Sequence, residues 1–180
     1  MKICIWITKI FDLGGTKRVV SLLANELVKE HEVTIMTYED RFREDRTMYH
    51  LSEDINVDFI DNSQFVNKHH TPAFCARYLV KKLNDRSGMF NKKGLNPILA
   101  EAIFPQKTRE KWVEYFNSQD YDVILTTASL SLRLAMIAPR LKAATIGWQH
   151  NCYDGYLHVK PVVFWQQENL LQQYLPNLDR

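Results

Sequence analysis

Two groups of residues in this sequence have the types and spacing to do chemistry. The first is Gly14-Gly15-Thr16, which follows the apolar run Ile3-Cys4-Ile5-Trp6-Ile7 and the connecting segment Lys9 to Leu13. A run of this kind reads as a strand covered on both faces. Beyond it, Val19, Val20, Leu22, Leu23 and Leu27 fall mostly on one side of a helix that Thr16 can cap. Strand, glycine turn and helix start together present free N–H groups, which suit a phosphate. The plainer reading is that two glycines let the backbone turn and pack closely. Both readings stay open on local evidence. The second group lies far downstream: Thr127 and Ser129 after one apolar run, and His150-Asn151 after another.

Other chemistry-bearing residues are less well placed. His69-His70 sit in a polar stretch without partners at ligand spacing, so no metal site is expected. Asp12 and Glu39 are carboxylates in loops, where solvation is the ordinary role. No serine-histidine-aspartate order and no nucleophile elbow is visible. Cys4, Cys75 and Cys152 are odd in number and widely spaced, which fits a reducing compartment and argues against a disulfide frame. A net charge of +2 gives no general case for nucleic acid as a partner.

The elements that must position these residues alternate. At 180 residues the chain can hold one well-packed domain. No apolar run is long enough to cross a bilayer, and the N-terminal run reads as a strand and not as a signal peptide. Strands are expected at 2–7, 32–38, 55–60, 121–126 and 143–148, and helices at 16–27, 71–83, 105–117, 129–138 and 161–175. Residues 39–54 and 61–70 read as loops, and 84–96 as a mobile connection. Only a short turn at Glu30-His31 separates the first helix from the second strand, as in a right-handed crossover between parallel strands. The expected fold is therefore α/β: an open, mostly parallel twisted sheet with helices on both faces, Rossmann-like. Ligands of such sheets bind at the carboxyl ends of the strands. That puts Gly14, Gly15, Thr127, Ser129, His150 and Asn151 on one rim, with the 9–16 and 149–155 loops expected side by side.

The segment from Gly14-Gly15-Thr16-Lys17-Arg18-Val19-Val20-Ser21-Leu22-Leu23-Ala24 to His31-Glu32-Val33-Thr34-Ile35 resembles the opening of glycosyltransferase family 4 enzymes. Asp120-Tyr121-Asp122-Val123-Ile124 and Trp148-Gln149-His150-Asn151 resemble two later landmarks of the same domain; residues 61–118 are not diagnostic. The resemblance implies the amino-terminal, acceptor-side half of a two-domain GT-B enzyme that moves a sugar from a nucleotide-sugar to a glycan, lipid-linked or protein acceptor. It implies retention of anomeric configuration and no metal or other cofactor, with the nucleotide-sugar as donor substrate. The donor-binding half, with the family's paired glutamates, would lie beyond Arg180, and residues 1–180 would be silent alone. Residue by residue, the resemblance puts Gly14 and Gly15 near the donor diphosphate, beside the helix start at Thr16, and His150 beside the transferred sugar. Thr127, Ser129 and Asn151, by their place on the rim, and Lys17, by its charge, are further candidate ligand contacts; Arg18 is another, though a solvated helix residue is its preferred reading. Lys17 departs from the acidic or small residue of many relatives.

Between Lys68 and Lys93, seven basic residues face one acid, Asp85. Arg77, Lys81, Lys82 and Arg86, with Phe74, Tyr78 and Leu79, form a basic amphipathic segment that can lie on an anionic membrane or acceptor surface. A solvated helix face is the plain alternative. The expected location is cytoplasmic, at the inner face of the plasma membrane. Two rival classes are an NAD-dependent oxidoreductase, with Glu39 or Asp40 as the ribose-binding acid, and a non-catalytic carbohydrate-binding domain using Trp148, Tyr153, Tyr156 and Trp165.

Overall fold

The computed structural model describes residues 1–39, 41–65, 71–150, 152, 155, 157 and 163–179. Five strands, β1 (Lys2–Trp6), β2 (Glu32–Thr37), β3 (Asn56–Phe59), β4 (Val123–Thr127) and β5 (Ala144–Trp148), form one sheet in the order β3-β2-β1-β4-β5. Every neighbouring pair is parallel, with Ile3 opposite Val33 on one side and Val123 on the other. The sequence thus forms the open, parallel Rossmann-like sheet expected of it. Strand order reverses between β1 and β4, which makes that edge the switch point.

The alternation of β1 splits the core in two. Ile3, Ile5 and Ile7 face the side covered by α1 (Gly15–Leu27), where Val20, Ala24, Val33 and Ile35 complete a buried cluster. Cys4 and Trp6 face the other side, against Trp112, Phe116, Leu132 and Met36. Burial on both faces is why β1 reads as a continuous apolar run. On α1 itself Val19 and Leu22 are exposed, while Val20, Leu23, Ala24 and Leu27 turn inward, so the apolar residues do not all share one side.

The second face is built by α2 (Pro72–Ser87), α3 (Asn96–Ile103), α4 (Gln106–Ser118), α5 (Ser129–Ile137) and α6 (Glu168–Tyr174). Trp112 of α4 stacks on Phe65 at 3.8 Å between ring centroids and packs on Trp6 at 4.6 Å. Thr71 caps α2, accepting from the Phe74 N–H, and Pro72 opens its first turn. The helix ends at Gly88, whose φ of 65° is the left-handed conformation that favours glycine.

Two expectations need correction here. Residues 84–96 are not simply a mobile connection: α2 runs on to Ser87, and buried Asn84 donates to the Gln166 carbonyl and accepts from the Phe90 N–H. Asn96 donates to the Asn169 carbonyl, and Asn91 accepts from the Asn169 backbone and side-chain N–H groups, tying this stretch to the later segment. The last helix begins only at Glu168, not at 161. Gln166 has a φ of 55°, and the Trp165 indole donates to the Asp85 carbonyl, so docking onto α2 overrides helix propensity there. Residues 161 and 162 lie outside the described ones.

Candidate functional site: the rim at the carboxyl ends of the strands

The loop leaving β1 is held by side chains from the other elements. Glu39, buried just beyond β2, accepts from the N–H groups of Ile10 and Phe11, and its neighbour Thr37 donates its hydroxyl to the Thr8 carbonyl. Tyr49 accepts from the Gly14 N–H at 2.8 Å. Asp12 lies 3.7 Å from Lys9 and 3.9 Å from Lys17, so the Asp12 charge is shared locally. These contacts fix the loop before the helix starts.

The helix starts differently from expectation. Gly14 is the N-cap and Gly15 the first helical residue, so Thr16 lies within the first turn and does not cap it; no side chain does. The first rung is the Arg18 N–H donating to the Gly14 carbonyl, which leaves the N–H groups of Gly15, Thr16 and Lys17 pointing out ahead of it. Neither glycine needs its conformational freedom: Gly14 is extended, at φ 163° and ψ 148°, and Gly15 is helical. Close packing does not explain them either. A side chain at Gly15 would meet nothing within 4 Å, and one at Gly14 would meet only the flexible Lys17 side chain. The space over the helix start is open. Lys17 reaches back to the Leu13 carbonyl at 3.2 Å, and Arg18 is exposed on the helix surface.

Across the switch point stands the turn from β4 into α5. Thr127 is buried, and Ser129 is half-buried at the first position of α5. Between them Ala128 adopts φ 51° and ψ −126°, a conformation that a residue with a Cβ rarely takes. Its N–H donates to the Trp148 carbonyl at 3.4 Å, and its own carbonyl accepts from the Gln149 side chain. No sequence signal marks Ala128, because alanine is the residue least suggestive of strain.

His150 follows β5 on the same rim. Its ring lies against Trp148, with centroids 4.4 Å apart and the planes tilted by 42°. Partial burial lowers its pKa below the ordinary histidine value, favouring the neutral imidazole at neutral pH. The two loops leave the same edge of the sheet, but residues 151, 153 and 154 of the later one lie outside the described ones. β4 stands between β1 and β5, so about 9–10 Å of sheet separates their ends. Asn151 lies outside the described residues, as do Asp40, His69, His70, Tyr153 and Tyr156.

On the far side of the rim, a cavity of about 600 Å³ opens at the ends of β2 and β3, lined by Tyr38, Glu39, Arg41, Phe59 and Asn62. A second cavity of about 290 Å³ lies beneath α2, among Arg77, Tyr78, Lys81, Phe104 and Arg133. The basic segment is therefore divided. Arg77 pairs with Glu101 at 3.7 Å, Lys81 lines the cavity, and Lys82 and Arg86 are exposed. Leu79 and Leu83 are exposed on the same helix, at 56 % and 45 %.

Glu39 does not serve as a free ribose-binding acid, since its carboxylate is engaged by the loop backbone. Trp165 is half-buried, and its indole N–H donates to the Asp85 carbonyl of α2. Cys4, Cys75 and Cys152 are free thiols, and burial raises the Cys4 pKa. Among the described residues no cluster of three or more histidine, cysteine or acidic side chains could hold a metal ion, and no helix is long and apolar enough to cross a membrane. No protein-family model and no curated protein sequence matches this chain.

Proposed function

We propose that this chain is the acceptor-side half of a GT-B glycosyltransferase, which moves a sugar from a nucleotide-sugar to a glycan, lipid-linked or protein acceptor. The observation that carries the reading is the open start of α1: three outward N–H groups beside the switch point, with open space before Gly15. A helix start of this kind offers aligned dipoles and donors to a leaving diphosphate. Lys17 adds a cation within the same turn. The charge that develops on the departing nucleotide is what such donors stabilise.

His150 has a complementary role in this proposal. As a neutral imidazole it can bond a hydroxyl of the transferred sugar without adding a charge, and Trp148 holds its ring in place. Thr127 and Ser129 would line the space between it and the helix start. Retention of anomeric configuration and independence of a metal follow from the family resemblance. The nucleotide's base and ribose need a second domain, because the contacts made here reach only phosphate and sugar. Half a cleft leaves these donors in water, where they gain little over hydration. In this proposal the exposed face of α2, with Leu79, Leu83, Lys82 and Arg86, rests on the anionic inner surface of the plasma membrane.

The test is release of nucleoside diphosphate from nucleotide-sugars by the enzyme that contains these residues. His150→Ala is expected to lower turnover roughly 10–1000-fold with an unchanged unfolding midpoint. Wild-type turnover in the folded variant removes His150 from the reaction. Sugar transfer by residues 1–180 alone overturns the two-domain reading. Saturation by NAD with no effect of any nucleotide-sugar assigns the chain to the oxidoreductases instead.

A further inference from the structure

The cavity beneath α2 has the chemistry of a phosphate site. Arg77, Lys81 and Arg133 reach it from two different helices, and Tyr78, Phe104 and Trp112 supply its apolar wall. The Arg133 guanidinium lies 5.7 Å from the centre of the Phe104 ring. Among the described residues, no carboxylate lies within 4 Å of Arg133 or Lys81. The acid beside Arg77 is Glu101, which also pairs with Arg109 at 3.6 Å, so it cannot neutralise the group. Three cations thus gather at one half-enclosed pocket with a single shared acid next to it. Half-buried Arg77 and Arg133, with exposed Lys81 beside them and one shared acid among them, favour an anion.

Position adds to charge. Asn62 lines both this cavity and the larger one at the ends of β2 and β3, while Arg77 and Pro105 line a further groove of about 760 Å³ between α2 and α4. Arg133 lies one turn into α5, behind Ser129. The pocket therefore lies between the rim cavity, with which it shares Asn62, and the surface of α2. At about 290 Å³ it approaches the lower end of the size range of small-ligand sites. Aromatic faces beside a triple-cation cluster match a ring joined to a phosphate better than a lone inorganic ion.

We infer that this pocket binds the phosphate of a phosphorylated carbohydrate, with Arg77, Lys81 and Arg133 on the phosphate and Tyr78 and Phe104 against the sugar ring. Calling that ligand the acceptor rests on the glycosyltransferase reading; the binding itself does not. The same phosphate can arrive on a free sugar or on a polyprenyl carrier.

Calorimetry on residues 1–180 with α-glucose 1-phosphate, glucose and inorganic phosphate tests the pocket. Glucose 1-phosphate is expected to bind, glucose at least roughly tenfold more weakly, and inorganic phosphate to compete. Lys81→Gln and Arg133→Gln should each weaken binding roughly tenfold, with Arg133→Lys recovering part of the loss. Lys81 is exposed, so its variant keeps the test valid if Arg133→Gln unfolds. Vesicles of phosphatidylcholine with polyprenyl phosphate identify the source. Phosphate-sensitive capture of the protein points to a lipid carrier, and glucose 1-phosphate binding without capture points to a soluble ligand. Equal binding of glucose and glucose 1-phosphate, unchanged affinity in both glutamine variants, or no binding of any probe overturns the inference. Because the readout is binding, phosphate recognition here, with no nucleotide-sugar turnover by the enzyme that contains these residues, overturns the functional reading alone.

Discussion

Glu39, immediately beyond β2, accepts through one carboxylate oxygen from the main-chain N–H groups of both Ile10 and Phe11, at 2.5 and 2.9 Å. The three residues are buried, and through this link the end of one strand sets the path of the loop that leaves the next. That loop ends in the outward N–H groups of Gly15, Thr16 and Lys17, so a carboxylate far from them in sequence fixes where they point.

Glu39→Ala leaves two buried N–H groups without an acceptor. At about 1–3 kcal/mol for each unsatisfied group, with some relief from entering water, a loss of about 2–4 kcal/mol is expected in urea unfolding. Glu39→Gln retains one acceptor oxygen and should lose less. Equal stability of the alanine variant and the parent would show that the loop is held by other contacts.

Ala128 stores strain that glycine would release. Its φ of 51° and ψ of −126° lie outside the regions open to residues with a Cβ, at a price of about 1–3 kcal/mol. Ala128→Gly is expected to raise stability by up to about 1 kcal/mol, since the freedom glycine gains in the unfolded chain offsets part of the relief. A destabilised glycine variant would mean that the methyl group itself is needed at the rim.

His150 makes the rim sensitive to pH. Burial lowers its folded pKa, so between the unfolded value of about 6.5 and that lower folded value the unfolded chain binds more protons. Its contribution to stability is fully present above about pH 6.5 and falls as pH drops through that window. Histidine NMR should show a His150 midpoint below 6.5, and His150→Gln should flatten the acid side of the stability profile. A midpoint at or above 6.5 would contradict the burial seen here.

Much of the fold is legible in the residues because periodicity and burial agree. Ile3 to Ile7 are apolar throughout, since α1 covers one face of β1 and the aromatics of α4 cover the other. Trp112, Val113 and Phe116 fall on one side of α4, and all three are buried as their spacing predicts. Legibility fails where a distant partner decides. Residues 84–96 carry glycines and polar residues that read as loop, yet Asn84 and Asn96 are buried because their amides bind residues 82 and 73 positions later. The start of α6 moves to Glu168 for the same reason. At the site, the glycines and His150 were visible by type and position. Glu39 was visible as a loop acid or a ribose-binding one but not as the anchor of the β1 loop, and Arg133 not at all, because its meeting with Arg77 and Lys81 is made by tertiary packing.

The outer face of α2 offers the last expectation. Only Asn84 of its sixteen residues is buried, which is unusual for a helix in a packed layer. Leu79 and Leu83 are one turn apart and exposed, with Lys82 and Arg86 beside them at the same spacing. Arg77 and Lys81 turn instead toward Glu101 and the cavity, so they are left unchanged. Each basic residue close to an anionic bilayer contributes about 1 kcal/mol. Lys82→Glu with Arg86→Glu should therefore weaken binding to phosphatidylserine-containing vesicles by about 30-fold or more, since reversal adds repulsion to the lost attraction. The circular-dichroism spectrum should not change, because neither side chain has a partner in the core. Leu79→Ser with Leu83→Ser should weaken binding as well, by removing the apolar part of the contact. If the charge-reversed protein sediments with anionic vesicles as well as the parent does, this face is only solvated, and the leucines are exposed singly as on many surfaces.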